Sequence, residues 1–270
     1  ILLPAIHGAG ALLPSAMTAT LYLPRASGVH RLNPLTKLTL ALVAVVAGAT
    51  LETLTVTVAV FVFGLVPLAV WGRILRPFLR ICVRVVWPFA ISLFPIQGFF
   101  AQGTTVLFTL GPFSLKAEGL WIATLLTARL LVGLGAATLL MLTTRPDVLM
   151  HSLVQHGLPA QVSYIVVASL QIIPGFQARA QAILDAQRSR GLETEGNLLR
   201  RLRALVPLVS PLILGSLMDL EERAIALEAR AFTRRGPKTS LTEIRDPAWE
   251  RALRWLLLLI MAGLIVVRLT

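Results

Sequence analysis

The sequence predicts an all-α fold: a polytopic integral membrane helical bundle with a long, charged, amphipathic helical region on its cytoplasmic side. Three observations lead there. Of the 270 residues, 56% are hydrophobic and only 14% are charged, with a mean hydropathy of +0.79. Soluble domains carry about 25% charged residues because their surface faces water, so a chain this apolar needs the bilayer as its solvent. Apolar runs also recur at lengths that suit a membrane crossing. Finally, the formal net charge of +12 gathers in particular stretches, as the positive-inside bias predicts. That bias accounts for a pI near 11.5 without a nucleic-acid partner, the usual reading of such a value in a soluble protein.

Residues 1–24 carry an apolar stretch around Ala9–Leu23 without a basic n-region, which argues against a cleaved signal peptide. This N-terminal segment is left unassigned. Residues 25–159 hold the N-terminal transmembrane helices. Leu38–Trp71 is apolar over 34 residues apart from Glu52. A helix crosses the hydrocarbon core in about 20 residues, so the run forms two crossings, split at Thr50-Leu51-Glu52-Thr53. Lys37 snorkels at one end and Trp71 anchors the other. Arg73, Arg76, Arg80 and Arg84 follow, spaced to form one helical stripe beside the headgroups. A third span covers about Val85 to Phe100, followed by a Gly- and Thr-rich stretch, Ala101 to Glu118. A fourth, Gly119 to Leu142, is interrupted only by Arg129. An intramembrane charge is expensive and faces protein in preference to lipid; Arg129 either contacts a neighbouring helix or binds substrate. Thr144-Arg145-Pro146-Asp147 then reads as a helix start, with Thr144 as N-cap and Pro146 in the first turn.

After Gly157-Leu158-Pro159 the character changes. Residues 160–246 form the cytoplasmic helical region. Tyr164 to Phe176 is apolar and re-enters the membrane or lies along it. It runs into an amphipathic helix to Gly191, with Phe176, Ala180, Ile183 and Gln187 on one face. A second helical stretch, 198–218, is interrupted by Pro207 and Pro211. A third, Met218 to Phe232, carries Leu220, Ala224, Leu227 and Ala231 as its apolar stripe. Residues 247–270 supply a last transmembrane helix, with Arg251 and Arg254 at its start. Residues 176–254 contain 14 of the 25 Lys and Arg and 10 of the 13 acids, whereas the turns near Glu52 and from Ala101 to Glu118 contain one basic residue, Lys116. This asymmetry puts the N-terminus and the long helical region in the cytoplasm and Glu52 outside.

No catalytic constellation stands out, and no cofactor or metal is expected. One cysteine, Cys82, permits neither an intrachain disulfide nor a metal cluster. His151 and His156 are an i, i+5 pair that does not share one helical face; with Asp147 nearby, an integral membrane enzyme is the remote alternative. There is no G-x-x-x-x-G-K-[ST] phosphate loop, so any ATPase is another chain. Two tripeptides remain: Ser189-Arg190-Gly191 and Ala229-Arg230-Ala231, each at a helix end. Arg offers five donors and a permanent charge, and small neighbours let a partner approach the backbone. A single Arg at a helix C-terminus is ordinarily a favourable charge on the macrodipole. Two, 40 residues apart on similar helices, are more specific.

At these residues the chain resembles the transmembrane T component of energy-coupling-factor transporters, which includes cobalt-type and biotin-type versions. The resemblance runs from about Leu21 to Leu241. It rests on Leu21-Tyr22-Leu23-Pro24, the segment from His30 to Lys37, Thr143-Thr144-Arg145-Pro146, Leu158-Pro159 and Ile173-Pro174. Its strongest parts are Asp185 to Gly191 and Ala226 to Phe232. It implies a non-catalytic, multi-pass scaffold of the prokaryotic cell (inner) membrane, whose long helices are coupling helices. Arg190 and Arg230, flanked by Ser189, Gly191, Ala229 and Ala231, would each dock on one of two cytoplasmic ABC ATPase subunits. A separate membrane-embedded subunit would bind the vitamin or metal ion. The second motif commonly ends in Gly in the family, and here Ala231 stands there. A conventional ABC permease that lines the substrate path is the alternative, disfavoured because such permeases carry one coupling loop per chain.

Overall fold

The computed structural model describes residues 27–50, 52–101, 103–110, 113–191, 198–232, 234 and 244–269. The Ala9–Leu23 stretch and the Leu21-Tyr22-Leu23-Pro24 motif lie outside them. The described chain is α-helical apart from one hairpin, and it forms two compact units. Among the described residues, one comprises 27–155 with 244–269, the other 156–191 with 198–232 and 234.

In the first unit, a short α1 (Gly28–Arg31) precedes α2 (Pro34–Thr50). Then α3 (Leu54–Ala59), a π-helical stretch (Val60–Leu65) and α4 (Val66–Trp71) make one continuous rod. The break between α2 and α3 falls where the polar residues interrupt the apolar run, so Leu38–Trp71 is two helices as expected. The π stretch ends just before Pro67, where Val66 N–H bonds to Phe61 O, five residues back. Pro67 cannot donate to the carbonyl four residues before it and its ring crowds that group; widening the preceding turn accommodates it. Helix α5 (Leu75–Phe100) joins the arginine stripe and the third span into one element, beginning ten residues earlier than the Val85 start expected of the span. Arg76, Arg80 and Arg84 lie exposed along it, opposite the buried Phe78, Cys82 and Val86.

The Gly- and Thr-rich stretch is an antiparallel hairpin, β1 (Val106–Leu110) with β2 (Phe113–Lys116). Its two charges are staples. Lys116 Nζ donates to Ala101 O at the end of α5 (3.0 Å). The Glu118 carboxylate accepts from the backbone N–H of Thr104 and Thr105 (3.2 and 3.0 Å). Helix α6 (Ala117–Thr143) packs on both α5 and α2. Its first turn approaches α5 so closely that a Cβ at Gly119 would collide with the Gln97 carbonyl, 2.9 Å from its carbon and 3.0 Å from Gly98 Cα. Without a hydrophobic drive between helices in lipid, small residues set such contacts. On α2, Ala41, Ala44, Ala47 and Gly48 are buried, and Gly48 meets the Val132 side chain of α6. Phe61 and Phe78 stack with ring centroids 6.0 Å apart, among Leu65, Ile74, Ala136 and Leu142. Leu54–Trp71, Leu75–Phe100 and Ala117–Thr143 are long and apolar enough to cross a membrane, with α2 as a shorter apolar helix.

Helix α7 runs Pro146–Gln155, so Arg145, not Thr144, precedes it; Thr144 is the C-cap of α6. Helix α10 (Ala248–Leu269) packs along α2. Glu250, 3% exposed, accepts from Asn33 N–H and Thr36 Oγ1, both at 2.8 Å. Lys37 does not snorkel. It is buried, and its ammonium donates to His30 O of α1 (3.3 Å) and to Thr143 O, the last carbonyl of α6 (3.0 Å).

The second unit is a pair of long helices, α8 (Ala160–Ser189) and α9 (Leu198–Ala229). Each merges stretches that the sequence reading separated. Pro174 lies inside α8, and α9 continues through Pro207 and Pro211.

Candidate functional site

The two tripeptides end α8 and α9 in the same backbone geometry. Arg190 is the C-cap of α8 (φ −90°, ψ 9°). Gly191 follows with φ +86° and donates its N–H to Arg188 O at 3.0 Å. At the end of α9, Arg230 occupies the matching position and Ala231 follows with φ +52°. Ala231 N–H bonds to Glu228 O (2.8 Å) and Phe232 N–H to Leu227 O (3.0 Å). That is the hydrogen-bond pair of a Schellman cap, in which a left-handed residue just past the helix satisfies its last carbonyls. Gly adopts this conformation freely, whereas an alanine Cβ crowds the following carbonyl. Ala231 therefore adds a strained residue to a cap that Gly191 makes without strain.

This cap turns the chain sharply after each arginine, leaving the guanidinium at the helix tip. All six residues of the two motifs are exposed, and among the described residues neither Arg190 nor Arg230 has an ion-pair partner. Ser189 Oγ donates to Asp185 O at 3.0 Å, tying its hydroxyl to its own helix.

The contacts between α8 and α9 decide where the tips lie. Tyr164, early in α8, meets Phe232, just past α9, with ring centroids 5.3 Å apart. Farther along α8, Arg179 pairs with Asp219 at 2.7 Å, and Gly215 leaves room for the Arg179 side chain. Contact moves up one helix as it moves down the other, so the pair is antiparallel. The Arg230 tip sits beside Tyr164, and the run from Tyr164 to Arg190 rises about 40 Å at ~1.5 Å per residue. The arginines thus emerge at opposite ends of the pair. The Arg179–Asp219 bridge is 39% and 44% exposed, so it contributes no more than about 1 kcal/mol and serves to register the two helices.

The inward face of α9 differs from the expected stripe. Leu220 is 56% exposed and Ala224 and Ala231 are exposed, whereas Leu208 is buried and Leu212, Gly215, Ser216, Asp219 and Leu227 are at least half-covered. Small and polar residues face α8. Ile213, Leu214, Leu217, Met218 and Leu220 point outward, as do Ile165, Ile173 and Phe176 of α8. Arg129 lies midway along α6 and lines a cavity of about 540 Å³, otherwise apolar, with Val45 and Ala49 of α2, Leu93 of α5, and Leu126, Leu130, Gly133 and Leu134 of its own helix. His151 and His156 gain no third ligand: among the described residues no group of three His, Cys, Asp or Glu comes together.

The profile of the cobalt transport protein family, CbiQ, matches residues 25–241. That span includes α1 to α9 and both arginine tips. The chain belongs to this family. Relatives are described as energy-coupling factor transporter transmembrane protein EcfT. The protein from Listeria innocua is 32% identical over 258 residues, covering 90% of this chain and 95% of the relative. That from Thermosediminibacter oceani is 29% identical over 240 residues (83% and 87%), and that from Heliobacterium modesticaldum 31% over 220 residues (78% and 82%). The chain is a helical, multi-pass protein of the bacterial cell membrane, and the relatives it matches are named as transmembrane components of transporters. Helix α10 falls beyond the family match, and in this member it is held to α2 by the Asn33–Thr36–Glu250 bonds.

The cap geometry yields a local prediction. Ala231→Gly should relieve up to about 1 kcal/mol of backbone strain and slow hydrogen exchange of the Phe232 amide by about fivefold. Gly191→Ala should destabilise the end of α8 by a similar amount. Exchange measured by mass spectrometry on the detergent-solubilised chain checks both; unchanged exchange at both ends would contradict the cap assignment.

Proposed function

We propose that the chain is the non-catalytic coupling subunit of an energy-coupling-factor importer. It transmits ATP-driven motion from two cytoplasmic ABC ATPase subunits to a membrane-embedded subunit that binds a vitamin or a metal ion. The observation that carries this reading is the pair of arginine tips at opposite ends of an antiparallel helix pair. Two like pins about 40 Å apart by helix rise cannot enter one small pocket together, but they suit two copies of a similar partner. Ser189 and Gly191, and Ala229 and Ala231, keep the approach to each guanidinium open. In this reading residues 160–246 are the cytoplasmic coupling region, between the transmembrane helices of 25–159 and 247–270, and Glu52 lies outside.

The outward apolar face of α8 and α9 supports a scaffold as well. An exposed apolar surface of this extent marks a contact with protein or membrane, and a substrate-binding subunit would cover it. Arg129, in an otherwise apolar cavity, is assigned to helix contacts within the bundle. The cargo is the partner's property in this reading. The test is enzymatic: the purified chain alone should not hydrolyse ATP, and activity should appear only when ATPase subunits copurify. Hydrolysis by the chain freed of other subunits would overturn the assignment.

A further inference from the structure

We propose that the end of the membrane unit where α2 begins and α6 finishes holds a binding site for a single phosphate-class anion. A cavity of about 260 Å³ lies between the α1–α2 turn, the α6–α7 junction and the segment leading into α10. His30, Arg31, Lys37, Thr144, Arg145 and Arg245 supply its polar lining, and no acidic residue lines it. The positive-inside bias alone scatters solvated cations over helix ends. Here three segments distant in the sequence bring them around one concavity, and one of the cations is buried.

The acids nearby are already bonded, Asp147 to the lining residue Arg145 itself, which leaves the guanidinium groups of Arg31 and Arg245 to face the cavity. Asp147 takes the fork of Arg145, from Nε at 3.2 Å and from Nη2 at 2.8 Å. Asp246 accepts from Arg254 Nη2 at 2.6 Å and from Asn33 Nδ2 at 3.4 Å, and lies 4.0 Å from Arg251. Glu250 accepts from Asn33 N–H and Thr36. Among the described residues, Arg31 and Arg245 have no ion-pair partner, and both are exposed at the rim. Lys37 forms the floor. It is 6% exposed and gives two of its three donors to the carbonyls of His30 and Thr143. The Glu250 carboxylate supports this ammonium from within the bundle, an anion above it would stabilise it further, and Asn33, bonded to α2, to the 245–246 segment and to Glu250, keeps the walls in place.

Size and geometry narrow the ligand. Pockets for drug-sized molecules begin at about 300 Å³, so this one has room for one phosphate group and its immediate ester, not for a nucleotide. Planar guanidinium forks match phosphate oxygens two at a time. A phospholipid headgroup and free phosphate present the same chemistry.

The experiment uses the full-length chain, delipidated in detergent and titrated separately with inorganic phosphate and with phosphatidylglycerol, with thermal stability and native mass spectrometry as readouts. The wild type is expected to bind at least one of them saturably, one per chain. A shift with phosphate assigns the site to a soluble anion; a shift with phosphatidylglycerol alone assigns it to a lipid headgroup. Arg31→Gln with Arg245→Gln should weaken binding at least about tenfold, and the corresponding double Lys variant should retain part of the affinity. Arg76→Gln with Arg84→Gln removes the same charge from the exposed stripe of α5 and should change affinity less than about twofold. Absence of saturable binding by the wild type overturns the proposal, whatever the fate of the variants. So does an equal loss in the α5 control, which would reduce the effect to general surface charge.

Discussion

A chain carrying both Arg190→Ala and Arg230→Ala is expected to insert and fold normally yet lose uptake and the recovery of ATPase subunits. An exposed arginine at a helix end adds only about 0.3–1 kcal/mol through the macrodipole. Both side chains are exposed and hold no partner among the described residues, so removing them leaves the chain's own packing intact. In a docked interface the balance reverses. Deleting a charge-paired group there costs about 2–5 kcal/mol, because its partner is left buried and unpaired. That is about 30-fold or more in affinity per tip. Each single variant should therefore be impaired and the double variant more so, as the proposed docking of each tip on a separate subunit requires. Lysine should rescue only in part, because an ammonium keeps the charge without the fork. Uptake assays and copurification from the same membranes measure both effects.

The largest effect on the fold is expected at Gly119. Its α carbon packs against the backbone of α5, and an added methyl would meet the Gln97 carbonyl and Gly98 Cα. A flexible side chain can swing away, but two helix backbones must separate. Gly119→Ala should therefore cost about 3 kcal/mol, at the upper end for an overpacked site, and lower the thermal midpoint of the solubilised chain sharply. Gly133→Ala is the matched control. It lies on the same helix with open space where its Cβ would stand, and should be neutral or slightly stabilising, as alanine is the better helix former. Equal effects at the two positions would contradict the α5–α6 packing.

Much of this architecture was legible in the sequence, for identifiable reasons. Bilayer thickness divides Leu38–Trp71 into two helices, because a run of that length cannot be one crossing. The tripeptides announced the tips, and a glycine just past a helix end, as at Gly191, can signal a left-handed turn. Ala231 did not, since nothing local to an alanine signals positive φ; the cap appears only once Phe232 bonds back to Leu227. The start of α5 at Leu75 lies before the expected Val85, because a change from charged to apolar residues marks a change of environment and not a helix end. The stripe of α9 differs because the spacing of Leu220, Ala224, Leu227 and Ala231 fits the helical period without saying which face meets a partner helix. The partner helix instead takes Gly215, Ser216 and Asp219, and leaves Leu220 outside. Lys37 reads as a snorkelling residue from its place at the end of a span, and neither its burial nor that of Glu250 is signalled locally. The bond from Asn33 to Glu250 joins residues 217 apart in the chain, and periodicity has nothing to say at that separation.

The central claim is that the two tips engage two different ATPase subunits. A photo-activatable cross-linker placed at position 190 or position 230 of the assembled complex tests it most directly. Each single-site chain should capture one ATPase subunit, and a chain with both cross-linkers should capture two on the same scaffold. Failure of either position to reach an ATPase subunit, or capture of one and the same subunit by both, would contradict the account.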